Sequence, residues 1–159
     1  MGAERGRRGG AEGLALIADA DDRDVVRTLF REYAASLDLD GHFEGFDHEL
    51  AQLPYEVLLV ASLDGEAVGC VALRKLDDDT CEMKRMFVRP AARGTGTGRA
   101  LALASLERAR ALGYRTMRLD TLPDRMEAAG KLYRSLGFVE VGRYNDNPIE
   151  GVIFMELQL

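Results

Sequence analysis

The chain has 159 residues, of which 47% are hydrophobic and 30% are charged, and its formal net charge is −6. This size and composition are typical of one globular domain with a sizeable hydrophobic core. The acidic balance argues against a nucleic-acid-binding protein, because such domains are usually basic, and no apolar run approaches the ~20 residues that a membrane span needs.

Residues 1–13 are rich in glycine and arginine and lack the apolar segment of a secretion signal. We therefore predict a flexible tail, a single domain over residues 14–159 and a cytoplasmic location. Cys70 and Cys81 fall in apolar, strand-like segments. Without a secretion signal, they are predicted to be reduced core thiols rather than a disulfide.

The domain begins with a strand predicted over residues 14–18. Asp19 and Asp21 then offer N-cap oxygens for a helix over residues 22–37, in which apolar side chains recur on one face. The acidic stretch that follows has a less regular pattern, and it is predicted to contain a short helix over residues 47–52.

Three strands come next, predicted over residues 57–62, 67–73 and 81–88. Asp64-Gly65 is a strong hairpin signal between the first two strands, and the aspartates at positions 77–79 predict a turn before the third. We therefore expect these three strands to be antiparallel neighbours in one sheet.

Helices and strands alternate in the second half of the chain. Helices are predicted over residues 100–112 and 124–136, and strands over residues 116–121, 138–142 and 152–157. The complete order predicts an α/β domain with three layers and a mixed, mostly antiparallel sheet.

A glycine-rich stretch, residues 93–99, lies between the third of these strands and the helix after it. A strand that turns through glycines into a helix presents free backbone N–H groups to an anion. The stretch does not fit the nucleotide P-loop, because Gly98 is followed by arginine and alanine instead of lysine and a hydroxyl residue. It does not fit the dinucleotide fingerprint either, because Arg99 stands where the last glycine is required.

What the stretch does fit is the pattern Arg-x-x-Gly-x-Gly, and two further segments, residues 81–90 and 131–138, accompany it in a fixed order. Together the three segments resemble the GNAT N-acetyltransferase superfamily, and the similarity runs from about Leu14 to the C-terminus. The resemblance implies a three-layer α/β/α domain whose sheet is splayed at the cofactor slot. It also implies acetyl-CoA as cosubstrate, an amine-bearing acceptor and no metal ion, and it leaves a homodimer open.

The resemblance also implies which residues bind the cosubstrate. Main-chain groups of Met86, Phe87 and Val88 would lie along the pantetheine arm. The loop would hold the pyrophosphate with the motif arginine and with backbone N–H groups, and its residues are Arg93, Gly94, Thr95, Gly96, Thr97, Gly98 and Arg99. Arg89 is a further cation expected near the phosphates.

Glu82 is the general base that the resemblance implies, because many family members carry a base at this place on the strand. A base is useful because an amine with a pKa of ~10.4 is almost entirely protonated at neutral pH. Strand alternation predicts that Glu82, Lys84 and Met86 share one face. The alternative interpretation is a structural ion pair between Glu82 and Lys84 or Arg85.

Tyr133 matches the family tyrosine that would protonate the departing thiolate, and the alternative is an ordinary core tyrosine. Met126 stands where many relatives have an asparagine that contacts the cofactor. These residues favour an N-acetyltransferase that works by direct transfer in a ternary complex. Neither cysteine lies near a histidine in a nucleophile pattern. The alternative function is an acyl-CoA-binding sensor or a catalytically inert domain of the same fold.

The acceptor side of such a fold is expected to be formed by residues 37–54 and 143–148. The first segment is acidic, which favours a cationic amine by electrostatic steering. His42 and His48 in that segment are weaker candidates for a base. Two separated histidines and two strand cysteines do not have the spacing of metal ligands, so no metal site is expected.

Overall fold

The computed structural model describes residues 15–37 and 45–159, so the predicted tail lies outside the described residues. Within them, seven strands form one sheet in the order β1-β2-β3-β4-β5-β7-β6. Every neighbouring pair is antiparallel except β4 and β5, which run parallel. The strands are β1 (Leu16–Asp19), β2 (Val57–Leu63), β3 (Glu66–Lys75), β4 (Thr80–Val88), β5 (Thr116–Thr121), β6 (Val139–Val141) and β7 (Ile153–Gln158).

Helices cover both faces of the sheet. They are α1 (Arg23–Ser36), α2 (Phe46–Gln52), α3 (Thr97–Ala111) and α4 (Glu127–Ser135), and a short 3₁₀ turn spans Pro90–Ala92. Buried side chains of α3 and α4, such as Leu101 and Tyr133, join one apolar cluster with the sheet. Leu29 and Phe30 of α1 join a second cluster, which includes Phe87 of the sheet. This three-layer arrangement with a mixed sheet is the predicted fold class.

The start of α1 differs from the prediction in its capping residue. Asp22 has extended backbone and accepts a hydrogen bond from the Asp24 N–H at 2.9 Å, so Asp22 is the N-cap. Asp19 instead ends β1, and its carboxylate forms an ion pair with Arg108 of α3 at 2.7 Å. The prediction that Asp19 or Asp21 caps the helix is therefore wrong, because the strand extends one residue further than expected.

Two other helices begin at positions that local pattern does not predict. Helix α3 starts at Thr97, three residues earlier than expected, because Gly96 serves as its N-cap with a left-handed φ of 82°. Helix α4 starts at Glu127 rather than near position 124. The N–H groups of Arg125 and Met126 both donate to the Leu122 carbonyl, which makes a turn before the helix begins.

A β-bulge in β4 changes the direction of its side chains. The pairing with β3 shifts between Cys70 and Ala72, and Arg85 at the shift has a positive φ of 59°. Met86 consequently packs in the cluster with α3, whereas Phe87 packs in the cluster with α1. The predicted alternation that put Lys84 and Met86 on one face is therefore wrong beyond the bulge.

The two parallel strands separate at their C-terminal ends. They pair at Thr80 with Thr116, at Cys81 with Met117 and at Glu82 with Arg118. Both strands continue beyond that point, to Val88 and to Thr121, without pairing to each other. The sheet is thus splayed as predicted, and the gap lies between the last six residues of β4 and the last three of β5.

Both cysteines are buried and neither forms a disulfide, as predicted. Burial raises the pKa of the Cys81 thiol to about 12, and it raises that of Cys70 further. Among the described ranges, no helix combines the length and the apolar character that crossing a membrane requires.

Candidate acetyl-CoA and acceptor site

The glycine stretch forms the N-terminal end of α3. Gly94 and Gly96 both have left-handed backbone, with φ values of 79° and 82°. The Ala100 N–H makes the first helical bond, to the Gly96 carbonyl at 3.0 Å. The N–H groups of Thr97, Gly98 and Arg99 precede that bond, so they point out of the helix at its positive end.

The loop has room for a ligand and lies directly against the end of the strand gap. A Cβ atom built on Gly94 or Gly96 would have no other atom within 4 Å. A Cβ atom on Gly98 would lie 3.7 Å from the Val88 side chain and 3.8 Å from that of Leu132. The last residue of β4, the start of α3 and the middle of α4 therefore meet at one place.

The three arginines expected near the phosphates have different surroundings. Arg89 donates to both carboxylate oxygens of Glu32 at 2.8 Å and to the Ala67 carbonyl. These bonds hold the Arg89 guanidinium on the α1 side of the sheet. Arg93 and Arg99 are exposed beside the loop, with single bonds to the Val88 carbonyl at 3.1 Å and to the hydroxyl of Ser135 at 3.3 Å.

Tyr133 of α4 points into the gap between the strands. Its side chain is buried, and its ring packs edge-on against Phe138 at 5.8 Å. Its hydroxyl makes no hydrogen bond to any described residue. Burial raises the pKa of Tyr133, so the hydroxyl keeps its proton at neutral pH and can donate it to a bound ligand. The small cavity at this point holds about 20 Å³ and is also lined by Met83, Met86 and Leu119.

A larger cleft of about 340 Å³ adjoins that cavity. Six residues line both spaces, so the two are continuous: Tyr33, Lys84, Arg85, Asp120, Thr121 and Met126. The predicted acceptor segments contribute Leu37 and the residues Asn145, Asp146, Asn147 and Pro148. His48 is exposed and does not line the cleft, and His42 lies outside the described residues.

Glu82 is fully buried behind the wall of this cleft. Its carboxylate accepts hydrogen bonds from Arg74 Nε at 2.7 Å, from the Tyr144 hydroxyl at 2.5 Å and from Asn145 Nδ2 at 3.3 Å. The predicted ion pair with Lys84 or Arg85 is wrong, because Arg74 on the neighbouring strand β3 is the partner. Burial and the adjacent Glu82 carboxylate raise the pKa of Tyr144.

Asp120 is the carboxylate that lines both the cleft and the small cavity, whereas the exposed Asp146 lines the cleft alone within the described ranges. It accepts hydrogen bonds from Asn145 Nδ2 at 2.8 Å and from Asn147 Nδ2 at 3.3 Å. The Asn145 amide therefore connects Asp120 to Glu82. Beside Asp120, the Thr121 hydroxyl is buried and has no hydrogen-bond partner in residues 15–37 and 45–159, so it is a polar group that a bound ligand could complete.

A buried ion pair fixes the floor of the cleft. Arg85 donates to both oxygens of Glu49 at 2.7 and 2.8 Å, and both side chains are mostly buried. Burial alone would raise the pKa of the Glu49 carboxyl, but the hydrogen bonds and charge of Arg85 outweigh burial and hold that pKa below 4.5. The pair ties α2 to the bulge of β4.

We expect Glu49→Gln to lower the free energy of unfolding by about 3 kcal/mol at pH 7, because it removes the carboxylate that binds the mostly buried Arg85 guanidinium through both oxygens. The pKa of Glu49 is lower in the folded protein than in the unfolded chain. Its contribution to the free energy of unfolding is therefore complete above pH ~4.5 and is lost as the pH falls through the folded-state pKa. The difference in free energy of unfolding between the variant and the parent should therefore be smaller at acidic pH. Urea unfolding at pH 7 and pH 3.5 measures it.

Glu32→Gln is the matched control, because the Glu32–Arg89 pair is about one-third exposed and such pairs contribute little. We expect this variant to lose less than ~1 kcal/mol. The assignment of Glu49 and Arg85 as a stabilising buried ion pair would be contradicted by either of two results: a loss of unfolding free energy in Glu49→Gln equal to that of the control, or a loss that becomes larger at acidic pH.

The sequence interpretation missed Arg74, Lys84, Arg85, Asp120 and Thr121 as cleft residues. One signal for Asp120 was present: it is a charged residue in a strand where Met117 and Leu119 alternate as buried apolar side chains. The basic residues gave no such signal, because the bulge sets the direction of Arg85 and the register between β3 and β4 places Arg74 opposite Glu82. Among the described residues, no group of three or more histidine, cysteine or acidic side chains could hold a metal ion.

Comparison with known proteins identifies the class. Residues 23–138 match the model of the acetyltransferase (GNAT) family. An uncharacterised N-acetyltransferase of Schizosaccharomyces pombe is 38% identical, over 92% of this chain and 94% of the relative. The N-acetylaspartate synthetase of Danio rerio is 42% identical over 58% of this chain and 33% of that protein. A solved structure from Klebsiella pneumoniae, described as an acyl-CoA N-acyltransferase, is 31% identical with a TM-score of 0.72, over 92% and 99% of the two chains.

The chain belongs to the acetyltransferase (GNAT) family, as its resemblance predicted, and it is an acetyl-CoA-dependent N-acetyltransferase by class. The residues around the gap fit acetyl-CoA. Four kinds of polar group lack a partner among the described residues and would be completed by a pantetheine arm and a pyrophosphate: the Thr121 hydroxyl, the Tyr133 hydroxyl, the facing ends of β4 and β5 and the first N–H groups of α3.

Proposed function

We propose that this protein transfers the acetyl group of acetyl-CoA directly to the amine of a small acceptor. The opening between β4 and β5 beyond Glu82 is the observation that carries the proposal. Main-chain groups of Met86, Phe87 and Val88 are the proposed contacts of the pantetheine arm. The loop from Arg93 to Arg99 is the proposed pyrophosphate site, with its N–H groups at a helix N-terminus.

The proposed chemistry joins the gap to the cleft. The nitrogen lone pair of the acceptor attacks the thioester carbonyl carbon, which forms the C–N bond. The C–S bond then breaks and the electron pair leaves with sulfur. Tyr133 gives its hydroxyl proton to the thiolate, and a carboxylate takes the proton that the nitrogen loses. The products are the N-acetylated amine and CoA.

Two observations support direct transfer over an acyl-enzyme. Burial raises the pKa of both cysteine thiols far above neutrality, so neither thiol is a thiolate nucleophile. The continuity of cleft and gap allows an amine in the cleft to reach a thioester in the gap without a covalent relay.

We expect Tyr133→Phe to lower kcat by about 10- to 30-fold while leaving the KM for acetyl-CoA and the melting temperature nearly unchanged. The effect is smaller than that of many general acids, since a thiolate with a pKa near 8.5 leaves readily without a proton. Initial rates of CoA release measure it.

Tyr114→Phe is the matched control for that variant. Tyr114 is equally buried, but its hydroxyl binds Glu56 and it lies away from the cleft and the gap. The Tyr114→Phe variant should have a lower free energy of unfolding than the parent and an unchanged kcat. Full activity of Tyr133→Phe would show that Tyr133 is an ordinary core tyrosine and not the proton donor.

A thermal shift tests the proposal as a whole. Acetyl-CoA or CoA at about 100 times its dissociation constant stabilises the native state by ~2.7 kcal/mol, which raises the midpoint by roughly 5–10 °C, and ATP or NADH should have no effect. Acetyl transfer is then assayed with a panel of amines. Amino acids belong in the panel because one relative is, by its name, a synthetase of N-acetylaspartate. A shift without transfer to any amine would indicate an acyl-CoA-binding sensor instead.

A further inference from the structure

Within the part of the chain that the structure describes, both positive and negative side chains line the cleft. Three cations line it, Arg74, Lys84 and Arg85, against the two acids Asp120 and Asp146. Two of these cations already have carboxylate partners. Arg74 binds the buried Glu82 at 2.7 Å, and Arg85 binds Glu49 through both carboxylate oxygens.

Lys84 is the exception. Its side chain lines both the cleft and the gap and is half-buried, yet it forms no ion pair or hydrogen bond with any described residue. A half-buried ammonium with no acceptor has lost part of its hydration without a compensating interaction. An anionic group of a bound ligand would supply that interaction.

Asp120 presents the opposite charge on the same cleft. Its described partners are the neutral amides of Asn145 and Asn147, which orient the carboxylate but leave its negative charge uncompensated. The cleft therefore offers to one ligand the Lys84 ammonium, which has no partner among the described residues, and the Asp120 carboxylate, while the other acid that lines it, Asp146, is exposed.

We propose that the acceptor is a small amine that also carries a carboxylate, with the carboxylate bound by Lys84 and the amino group placed at Asp120. This inference deepens the proposed function and rests on it. A purely cationic amine would satisfy Asp120 but would be repelled by Lys84. A zwitterionic amino acid satisfies both groups, and the cleft volume of about 340 Å³ is at the small end for ligand pockets.

This acceptor class differs from the cationic amine that the acidic sequence segment predicted. Within the described part of that segment, the carboxylate nearest the cleft is Glu49, and Arg85 already neutralises it. Asp47 is exposed and does not line the cleft. The other acids of the segment, Asp38, Asp40 and Glu44, lie outside the described residues, so the inference rests on the charges of the strands.

The test compares matched acceptors. Initial rates of CoA release are measured with L-amino acids, with their primary amides and with the corresponding decarboxylated amines. We expect kcat/KM to be at least about tenfold higher for the amino acids, because each of the others lacks the group that Lys84 binds. Equal or better use of the amides and amines would overturn the inference.

Lys84→Met tests the residue itself, since it keeps the length of the side chain and removes its charge. We expect the KM for the amino acid to rise about 10- to 100-fold and the KM for acetyl-CoA to stay nearly unchanged, while decarboxylated amines are used at least as well as by the parent because the charge that repels them is gone. Lys75→Met is the matched control, because Lys75 ends β3 as an exposed partner of Asp78 and does not line the cleft. An unchanged amino acid KM in Lys84→Met would overturn the assignment.

The failures of the two proposals are distinguishable. Binding of acetyl-CoA and transfer to amines without preference for a carboxylate would leave the proposed function standing and remove only the acceptor class. Absence of a thermal shift with acetyl-CoA would remove the proposed function, and the acceptor class with it. A panel in which no amino acid is acetylated overturns the acceptor class, whatever the other amines do.

Discussion

Replacing Gly96 with aspartate is expected to weaken acetyl-CoA binding by at least about 100-fold. Gly96 is the N-cap of α3, and the N–H groups that follow it are the proposed pyrophosphate donors. Two like charges about 5 Å apart repel by ~1 to 3 kcal/mol at effective dielectric constants between 80 and 20, and the pyrophosphate carries more than one charge. Titration calorimetry with CoA measures the loss.

Gly96→Ala separates the charge effect from backbone strain. Both variants must adopt the left-handed φ of 82°, which costs roughly 1–2 kcal/mol for a residue with a Cβ. The Cβ of alanine meets no atom within 4 Å, so it adds no clash with the protein. Alanine should therefore lose stability but retain most of its affinity for CoA. Equal affinity in Gly96→Asp and the parent protein would show that the loop is not the pyrophosphate site.

Replacing Asp120 with asparagine is expected to lower kcat/KM for the acceptor by about 100-fold, the lower range for loss of a general base. Asp120 is a carboxylate that lines both the cleft and the gap, whereas Glu82 is enclosed by Arg74, Tyr144 and Asn145. The native rate should depend less steeply on pH than that of the variant, because the carboxylate accepts the proton that the amine loses. The rate of the variant should keep rising up to the pKa of the acceptor amine itself.

Glu82→Gln is the companion variant, because the base role that resemblance implies for Glu82 stays a prediction. If Glu82 acts by holding the cleft wall, glutamine should lower kcat/KM by about tenfold and keep the shape of the native pH profile. If Glu82 is the base, its variant will show the larger loss and the altered profile, and Asp120→Asn will show the smaller effect. One set of pH profiles thus decides between the two carboxylates.

The fold was accessible from sequence because most of its elements depend on local patterns. Apolar periodicity predicted the helices and strands in the observed order, and strand β5 has the predicted bounds. The hairpin at Asp64-Gly65 was predicted from residues that tolerate positive φ, and both have it. Helix starts were less accessible. The choice among Asp19, Asp21 and Asp22 as N-cap depended on how far β1 extends along β2.

The parts of the proposed site that the sequence by itself predicted each lie within a short segment: the glycine loop before α3, the strand end that adjoins it and Tyr133 on α4. Only the tertiary structure decided which residues form the acceptor cleft. The bulge at Arg85 turns the side chains of β4, β3 supplies Arg74 to Glu82, and Asn145 connects Glu82 to Asp120 across the sheet. These contacts join residues from 8 to 63 positions apart. The physical reason is that charge pairing depends on distance in space, and that distance is set by strand register and not by any local pattern.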